Sequence, residues 1–280
     1  MMREMMLMLL VVLFGFSSAQ AQTTYTWTGA VDGDWENASN WDTNGVPVDF
    51  EPDRGGLSFQ GSADRIVINA TNHSPSNNVP TLNPSNSNDA ATPTVDVING
   101  QADFSVTSGL NGNGTIIRAN TFATIGDGDV NNGLASLTYT FGSGDQFRRH
   151  DNFNMAITVN RDGALNFESS TRTRVARDNN GKNLHVTLAG GAVNFSGAIE
   201  MVSGSDTNPG GSWFDFTEVG ASFNASFGHY FPDLATVNAI IEDGFTFRST
   251  ADLTLAARDI GDGRFEVYIP PPSGTLIIIH

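Results

Sequence analysis

The sequence predicts an all-β fold, a short parallel β-solenoid closed by a cap at each end. The composition favours short strands joined by tight turns, since 30 residues are Gly and 27 are Asn, whereas lysine occurs once. Short apolar segments recur between residues 95 and 200. Two of them, NMAITVNRDGALNF (154–167) and NLHVTLAGGAVNF (183–195), share a strand, a glycine turn and a closing Asn-Phe pair.

The two segments are spaced by 28 or 29 residues, a period typical of solenoid coils. A single coil cannot bury its inner face, so coils stack and the inward apolar side chains form continuous rows. We expect each Asn of the Asn-Phe pairs to turn a corner and each Phe to fill the lumen. A looser third copy covers ADFSVTSGLNGNGTI (102–116). The alternative fold is a β-sandwich whose strands resemble each other only in composition.

The chain begins with an apolar run, Met6–Phe16, which precedes an Ala-x-Ala site ending at Ala21. Eleven apolar residues cover about half of a bilayer core, which is typical of a signal peptide. Near the other end, a helix is expected over Pro232–Glu242 and a hairpin turn at Asp259–Gly263. The sequence thus divides into a signal peptide (1–21), an N-terminal cap with the first coils (22–70), a polar loop or linker (71–94), the solenoid body (95–200), a C-terminal capping region (201–269) and a short tail (270–280).

The chain is acidic and has no cysteine, with 14 Lys and Arg against 30 Asp and Glu. A net charge of -16 disfavours binding to nucleic acid and anionic membranes, because both need basic patches. The lack of cysteine excludes disulfides and thiolate metal sites. Neither Gly-x-Ser-x-Gly nor His-Glu-x-x-His occurs, and the five histidines lack metal-ligand spacing. We therefore predict no enzymatic activity.

Three tryptophans, Trp27, Trp35 and Trp41, lie in WTGAVDGDWENASNWD (27–42). Each ring can bury roughly 150–250 Å² when packed, which suits a plug for the first coil. Alternatively, ring faces left open to solvent bind the C–H side of a sugar. Trp35 and Trp41 are then the candidate ligand-binding residues.

Two acidic turns are candidate calcium sites, Asp32 with Asp34 and Asp127 with Asp129. Ca²⁺ takes about six to eight oxygen ligands, which alternating carboxylates supply in part. Neither turn completes an EF-hand loop, and Asp-Gly is also a common hairpin dipeptide. A structural Ca²⁺ is the only cofactor that the sequence suggests.

Basic residues concentrate between residues 148 and 182. Arg148, Arg149, Arg172 and Arg174 are candidate ligands for carboxylates or sulfates of an anionic polysaccharide, because guanidinium groups pair with both. Acidic residues are interleaved in the same segment. The alternative is therefore a solvated face of internal ion pairs.

Two segments resemble known families of exported bacterial proteins. YTWTGAVDGDWENASNWDTNGVPVD (25–49) resembles the opening of autotransporter-type β-helical passenger proteins, which implies a β-solenoid exported to the cell surface or beyond. VYIPPPSGTLIII (267–279) resembles a PEP-CTERM sorting signal, in degenerate or truncated form, because Pro271 replaces the Glu and the apolar run is short. This second resemblance implies a Gram-negative bacterium and an exosortase-type sorting partner.

Together these observations predict an exported cell-surface or matrix protein, structural or adhesin-like, whose polar solenoid face binds polysaccharide or a cell-surface glycan. The alternative is a soluble carbohydrate-binding module, or a polysaccharide-degrading enzyme built on a β-helix.

Overall fold

The structure is a computed structural model. It describes residues 24–42, 45–46, 50–51, 56–57, 65–70, 72–76, 81–82, 94–106, 116–117, 121–141, 146–149, 155–169, 172–175, 184–201, 213–250 and 252–272. The signal peptide predicted over 1–21 and most of the predicted tail lie outside these residues.

Almost all regular structure in the described residues is β-strand, with one α-helix, α1 (Leu234–Asp243), and a 3-10 turn at Ala38–Asn40. In chain order the strands are β1 (Thr24–Trp27), β2 (Phe50–Glu51), β3 (Gly56–Leu57), β4 (Arg65–Asn69), β5 (Thr81–Leu82), β6 (Thr94–Val106), β7 (Ile116–Ile117), β8 (Thr121–Ile125), β9 (Ala135–Phe141), β10 (Gln146–Arg149), β11 (Met155–Asn160), β12 (Gly163–Ser169), β13 (Arg172–Val175), β14 (Leu184–Ala189), β15 (Ala192–Met201), β16 (Trp213–Phe216), β17 (Ser222–Ser226), β18 (Phe247–Ser249), β19 (Ala256–Gly261) and β20 (Arg264–Tyr268).

The strands wind into a parallel β-solenoid. Its first sheet stacks β1, β4, the first half of β6, β8, β11, β14, β16 and β18, all in parallel. Within it, Ala156 pairs with His185 and Val159 pairs with Leu188, so the two sequence repeats are adjacent rungs. The predicted solenoid is confirmed, and the β-sandwich alternative is wrong.

Two further sides are formed by the other strands. The second sheet stacks β5, the second half of β6, β9, β12, β15 and β17 in parallel. On the third side, β7 pairs with β10, β10 with β13, and β13 with the second half of β15. Strand β6 passes from the first sheet to the second at Gly100, whose φ of 88° is left-handed and favours glycine.

The lumen is filled by rows of apolar side chains at matching register positions. On the second sheet, aromatic rings stack from Phe104 through Tyr139 and Phe167 to Phe195, with successive centroids 5.9, 5.9 and 4.5 Å apart. All four rings are buried. A parallel row on the first sheet consists of Ile66, Val95, Ala123, Ile157, Val186, Phe214 and Phe247.

The asparagines of the repeats do not turn corners, in contrast to the expectation. Asn166 pairs in register with Asn194 in the middle of β12 and β15, because these strands continue past the Asn-Phe pair. The corner after β11 holds Asn160 instead, whose side-chain Nδ2 donates to the carbonyl of Gly126 at 2.6 Å. The Phe of each pair does fill the lumen.

Neighbouring coils are also joined at a corner by a buried carboxylate. Asp162 accepts the backbone N–H groups of Asp127 at 3.1 Å and Gly128 at 2.8 Å. The adjacent Gly126 has a φ of 82°, and a Cβ there would lie 2.3 Å from an Asp162 oxygen. Any other residue at this position would be strained and would displace the Asp162 carboxylate.

The C-terminal end is closed by an antiparallel hairpin. β20 runs antiparallel to β17, and β19 runs antiparallel to β20. Helix α1 contacts β18 and β19. It begins after Asp233, whose carboxylate accepts the Thr236 N–H at 2.8 Å, and ends before Gly244. The predicted helix and hairpin are both present, with the helix shifted by one or two residues.

Part of the polar segment 71–94 packs on the solenoid. β5 pairs with β6, and Pro75 is buried. The backbone N–H of Ser76 donates to the carbonyl of Gly33 at 2.8 Å. These residues of the segment therefore contact the solenoid, and its assignment as a polar loop or linker stays a prediction.

We expect Phe167→Ala to lower the free energy of unfolding by about 3–5 kcal/mol, because the buried ring stacks between Tyr139 and Phe195 and its loss leaves a cavity. Phe245→Ala removes the same atoms from a ring that is 57% exposed, and should cost about 0.5 kcal/mol or less. Urea unfolding measures both. Equal losses would contradict the stacked lumen.

Candidate functional site

The three N-terminal tryptophans form one cluster at the start of the solenoid. Their ring centroids lie 5.2 to 5.6 Å apart, and Trp35 also lies 5.7 Å from Phe104, at the end of the aromatic stack. Trp27 Nε1 donates to the His73 carbonyl and Trp41 Nε1 donates to the Trp35 carbonyl, each at 2.9 Å. The Trp35 Nε1 is buried and has no hydrogen-bond partner among the residues that the structure describes.

The ligand role considered for Trp35 and Trp41 is corrected by their burial. Their side chains are 0% and 5% exposed, so neither offers a ring face to a sugar. The segment around His73 closes over them, and Gly29 makes room for it, since a Cβ there would lie 1.9 Å from the His73 carbonyl oxygen. The rings plug the open end of the lumen because the first coil has no preceding coil to cover it.

The two acidic turns share one hydrogen-bonding pattern. DGDWEN (32–37) and DGDVNN (127–132) both have the form Asp-Gly-Asp-x-x-Asn. In each turn the first Asp accepts the backbone N–H of the second Asp, at 3.0 and 2.8 Å, and a side-chain N–H of the Asn, at 3.0 and 2.7 Å. The second Asp accepts a backbone N–H two residues further on. Each turn is thus closed by its own amide donors.

These donors lower the pKa of the first Asp in each turn below the ordinary value of 3.8. The main cause is the backbone N–H of Asp34 for Asp32, and the side-chain amide of Asn132 for Asp127. Within the described residues, no group of three or more His, Asp or Glu side chains could hold a metal ion together. Calcium at these turns, Asp129 included, stays a prediction, and an ion there would have to displace amide donors.

The candidate arginines lie on the third side of the solenoid. Arg148 and Arg149 are in β10, and Arg172 and Arg174 are in β13, the strand that pairs with β10. The backbone register places Arg174 beside Glu200 of β15. The structure therefore brings the two arginine pairs onto neighbouring rungs. Their binding to an anionic polysaccharide stays a prediction.

The outer face of the second sheet carries a row of amides, which we call the asparagine ladder (Asn166, Asn194 and Asn224). Asn224 Nδ2 donates to Asn194 Oδ1 at 3.0 Å, and Asn194 Nδ2 donates to Asn166 Oδ1 at 2.9 Å. Asn166 in turn donates to the hydroxyl of Thr138 at 3.4 Å. All three amides are partly exposed, so the ladder faces outward.

Four side chains lie together on the outer face of the first sheet, on its last three rungs. We call them the Trp213 cluster (His185, Trp213, Asp215 and Arg248). His185 Nε2 lies 2.6 Å from Asp215 Oδ2, and the imidazole packs against Trp213 with centroids 5.0 Å apart. The Arg248 guanidinium lies 4.5 Å from the centroid of the Trp213 ring, and its Nε donates to the Phe245 carbonyl at 3.2 Å. The four residues occupy three successive rungs.

This cluster supplies charge and hydrogen bonds, and it does not form a nucleophilic triad. The hydroxyl of Thr187 lies 3.5 Å from His185 Nε2, the same nitrogen that contacts Asp215. In a triad the acid and the nucleophile contact opposite nitrogens of the imidazole. His185 is therefore not placed to activate Thr187.

This cluster matches no catalytic or metal-binding motif, but the alternation of residues in one strand indicates part of it. In the strand WFDF (213–216), Phe214 and Phe216 are buried. Since alternate residues of a strand face opposite sides, two buried phenylalanines place Trp213 and Asp215 outside.

Comparisons with protein-family models, with curated proteins and with solved structures found no match to this chain. Among the described residues, no helix is long and apolar enough to cross a membrane. The resemblances of 25–49 and 267–279 to exported protein families stay interpretations of the sequence.

We expect Trp41→Phe to lower the free energy of unfolding by about 1–3 kcal/mol more than Trp35→Phe. Both substitutions remove the same atoms from a buried ring. Of the two indoles, only that of Trp41 donates a hydrogen bond, so Trp41→Phe leaves the buried Trp35 carbonyl without this donor. Paired urea titrations measure the difference. A greater loss for Trp35→Phe would contradict the assigned hydrogen bonds.

The acidic turns predict a loss of stability in acid. Because the pKa of Asp32 is lowered in the folded chain, its charged form stabilises the fold above the ordinary Asp pKa of 3.8. This contribution is lost as the pH falls through the folded value. We expect Asp32→Asn to melt below the wild type at about pH 6 and the two to converge as the pH falls below the ordinary Asp pKa of 3.8. Asp127→Asn, in the twin turn, should behave in the same way, and a pH-independent difference would contradict the assignment.

Proposed function

We propose that this chain is an exported surface or matrix protein whose stiff β-solenoid displays the asparagine ladder to polysaccharide. The observation that carries the proposal is the register of the ladder, in which three partly exposed amides lie on successive rungs. Parallel rungs repeat about every 4.8 Å, a distance close to the length of one sugar unit. A glycan chain laid along the solenoid axis therefore meets an equivalent amide at each step.

Amide groups suit ligands rich in hydroxyls, because each amide both donates and accepts hydrogen bonds. Asn194 donates one N–H to Asn166 and accepts one from Asn224. Its second N–H and a further oxygen lone pair stay available for a ligand. The ladder bonds and the rungs hold the amides in place before a ligand arrives, which reduces the entropy lost on binding.

Export is supported by two segments of the sequence. The apolar run Met6–Phe16 with its Ala-x-Ala site is typical of a signal peptide. The resemblance of 25–49 to autotransporter-type passengers favours the same compartment. In this proposal, an exosortase-type system recognises the C-terminal tail, and the acidic surface keeps the chain away from anionic lipid.

The test is a triple variant, Asn166→Ala with Asn194→Ala and Asn224→Ala, measured for retention on cellulose, chitin and a soluble β-glucan. We expect binding to weaken about tenfold or more, because three hydrogen-bonding partners are lost.

The matched control changes three hydroxyls in register on the first sheet. Thr124, Thr158 and Thr187 lie on successive rungs there, and their replacement by Val should leave retention unchanged. Circular dichroism checks that both variants fold. The proposal would be overturned if the wild type bound none of the three polysaccharides. It would also be overturned if the asparagine variant folded and bound like the wild type.

A further inference from the structure

We propose a second ligand site at the Trp213 cluster, where Arg248 binds the carboxylate of a uronic acid in an acidic polysaccharide. The site goes beyond the asparagine ladder, which offers neutral amides on a different sheet. Its ligand class follows from Arg248, a positively charged group that has no carboxylate partner among the described residues.

Two arginines of the described residues make closely matched contacts with aromatic rings. The Arg248 guanidinium lies 4.5 Å from the Trp213 ring centroid, and the Arg258 guanidinium lies 4.6 Å from the Tyr268 ring centroid. Arg258 Nε is also 2.6 Å from a Glu266 carboxylate oxygen. Arg248 donates its Nε to a backbone carbonyl and has no carboxylate partner in the part of the chain that the structure describes.

The acidic residue in register with Arg248 on the neighbouring rung contacts another side chain. Asp215 pairs in register with Arg248, but its carboxylate lies 2.6 Å from His185 Nε2. The other arginines with described side chains all have acceptors: Arg65 with Asp96, Arg161 with Glu218, and Arg264 with the carbonyls of Phe195 and Ser196.

The guanidinium of Arg248 is held in a fixed orientation. The Trp213 ring lies against it and the Phe245 carbonyl binds its Nε, which leaves its two terminal nitrogens. A planar pair of N–H donors matches a carboxylate in bidentate geometry, and little side-chain freedom is lost on binding. Trp213 is a positioning residue here, because Arg248 and His185 pack against its ring and a sugar does not need to stack on it.

The acidic charge of the whole chain does not prevent this contact. Charges separated by more than about 8 Å in solvent are largely screened at physiological ionic strength. The affinity for a carboxylate therefore depends on the groups next to Arg248. The partly exposed His185–Asp215 pair adds hydrogen-bonding groups for the hydroxyls of the same sugar.

The test compares polygalacturonate with its carboxyl-reduced form, which keeps the hydroxyls and loses the charge. Calorimetric titration of the full chain gives Kd for each polymer. We expect Arg248→Ala to weaken binding to polygalacturonate about tenfold or more, and Arg248→Lys to have an intermediate effect, because Lys keeps the charge without the planar fork. Arg258→Ala is the matched control and should bind like the wild type.

Thermal unfolding checks that each variant is folded. If Arg248→Ala does not fold, the binding of Arg248→Lys decides the test. Absence of binding to polygalacturonate, equal binding to both polymers, or a folded Arg248 variant that binds like the wild type would overturn the inference. The asparagine-ladder variant separates the two proposals, since it should lose neutral polysaccharides and still bind polygalacturonate.

Discussion

Parallel stacking in register places each side chain of the solenoid against its counterpart in the neighbouring coil. Inside the tube this arrangement favours apolar and aromatic side chains along each row, because a side chain there has another above it and another below. The ring of Phe167 shows the consequence, since it is buried between Tyr139 and Phe195 and has no route to solvent. Outside the tube the same register multiplies polar groups, as in the asparagine ladder. The lumen and the candidate surfaces are thus two results of one constraint.

A stacked tube has two open ends, and this chain closes them in different ways. At the first coil, Trp35 covers the end of the aromatic stack, and a bridge between Trp27 and Trp41 covers part of the edge of β1. At the last coil, β20 runs antiparallel to β17 and pairs with β19, so the second sheet ends in an antiparallel hairpin. Unpaired strand edges promote association with other chains. Closing both ends favours a solenoid of fixed length, whose outer sheet faces are the surfaces open to ligands.

The repeat could be read from the sequence because two coils conserve the same spacing between a strand, a glycine and an Asn-Phe pair. The helix and the closing hairpin were equally accessible, since caps and turn residues act over a few positions. The asparagine ladder was not, because strand length decides whether Asn166 lies at a corner or in mid-strand. The pairing of His185 with Asp215 depends on the register of residues thirty positions apart. Burial of Trp35 was one of two open readings, and only the packing of neighbouring segments decided it.

The distribution of charge explains why the two candidate surfaces differ in chemistry. A chain with far more acidic than basic residues can pair most arginines internally, and Arg65, Arg161 and Arg258 each contact a carboxylate. Arg248 has no carboxylate partner among the described residues, and its guanidinium packs against the Trp213 ring instead. On the second sheet, the amides satisfy one another along the ladder. Since the two sheets face different directions, a neutral glycan on one and an acidic glycan on the other would not compete for the same groups.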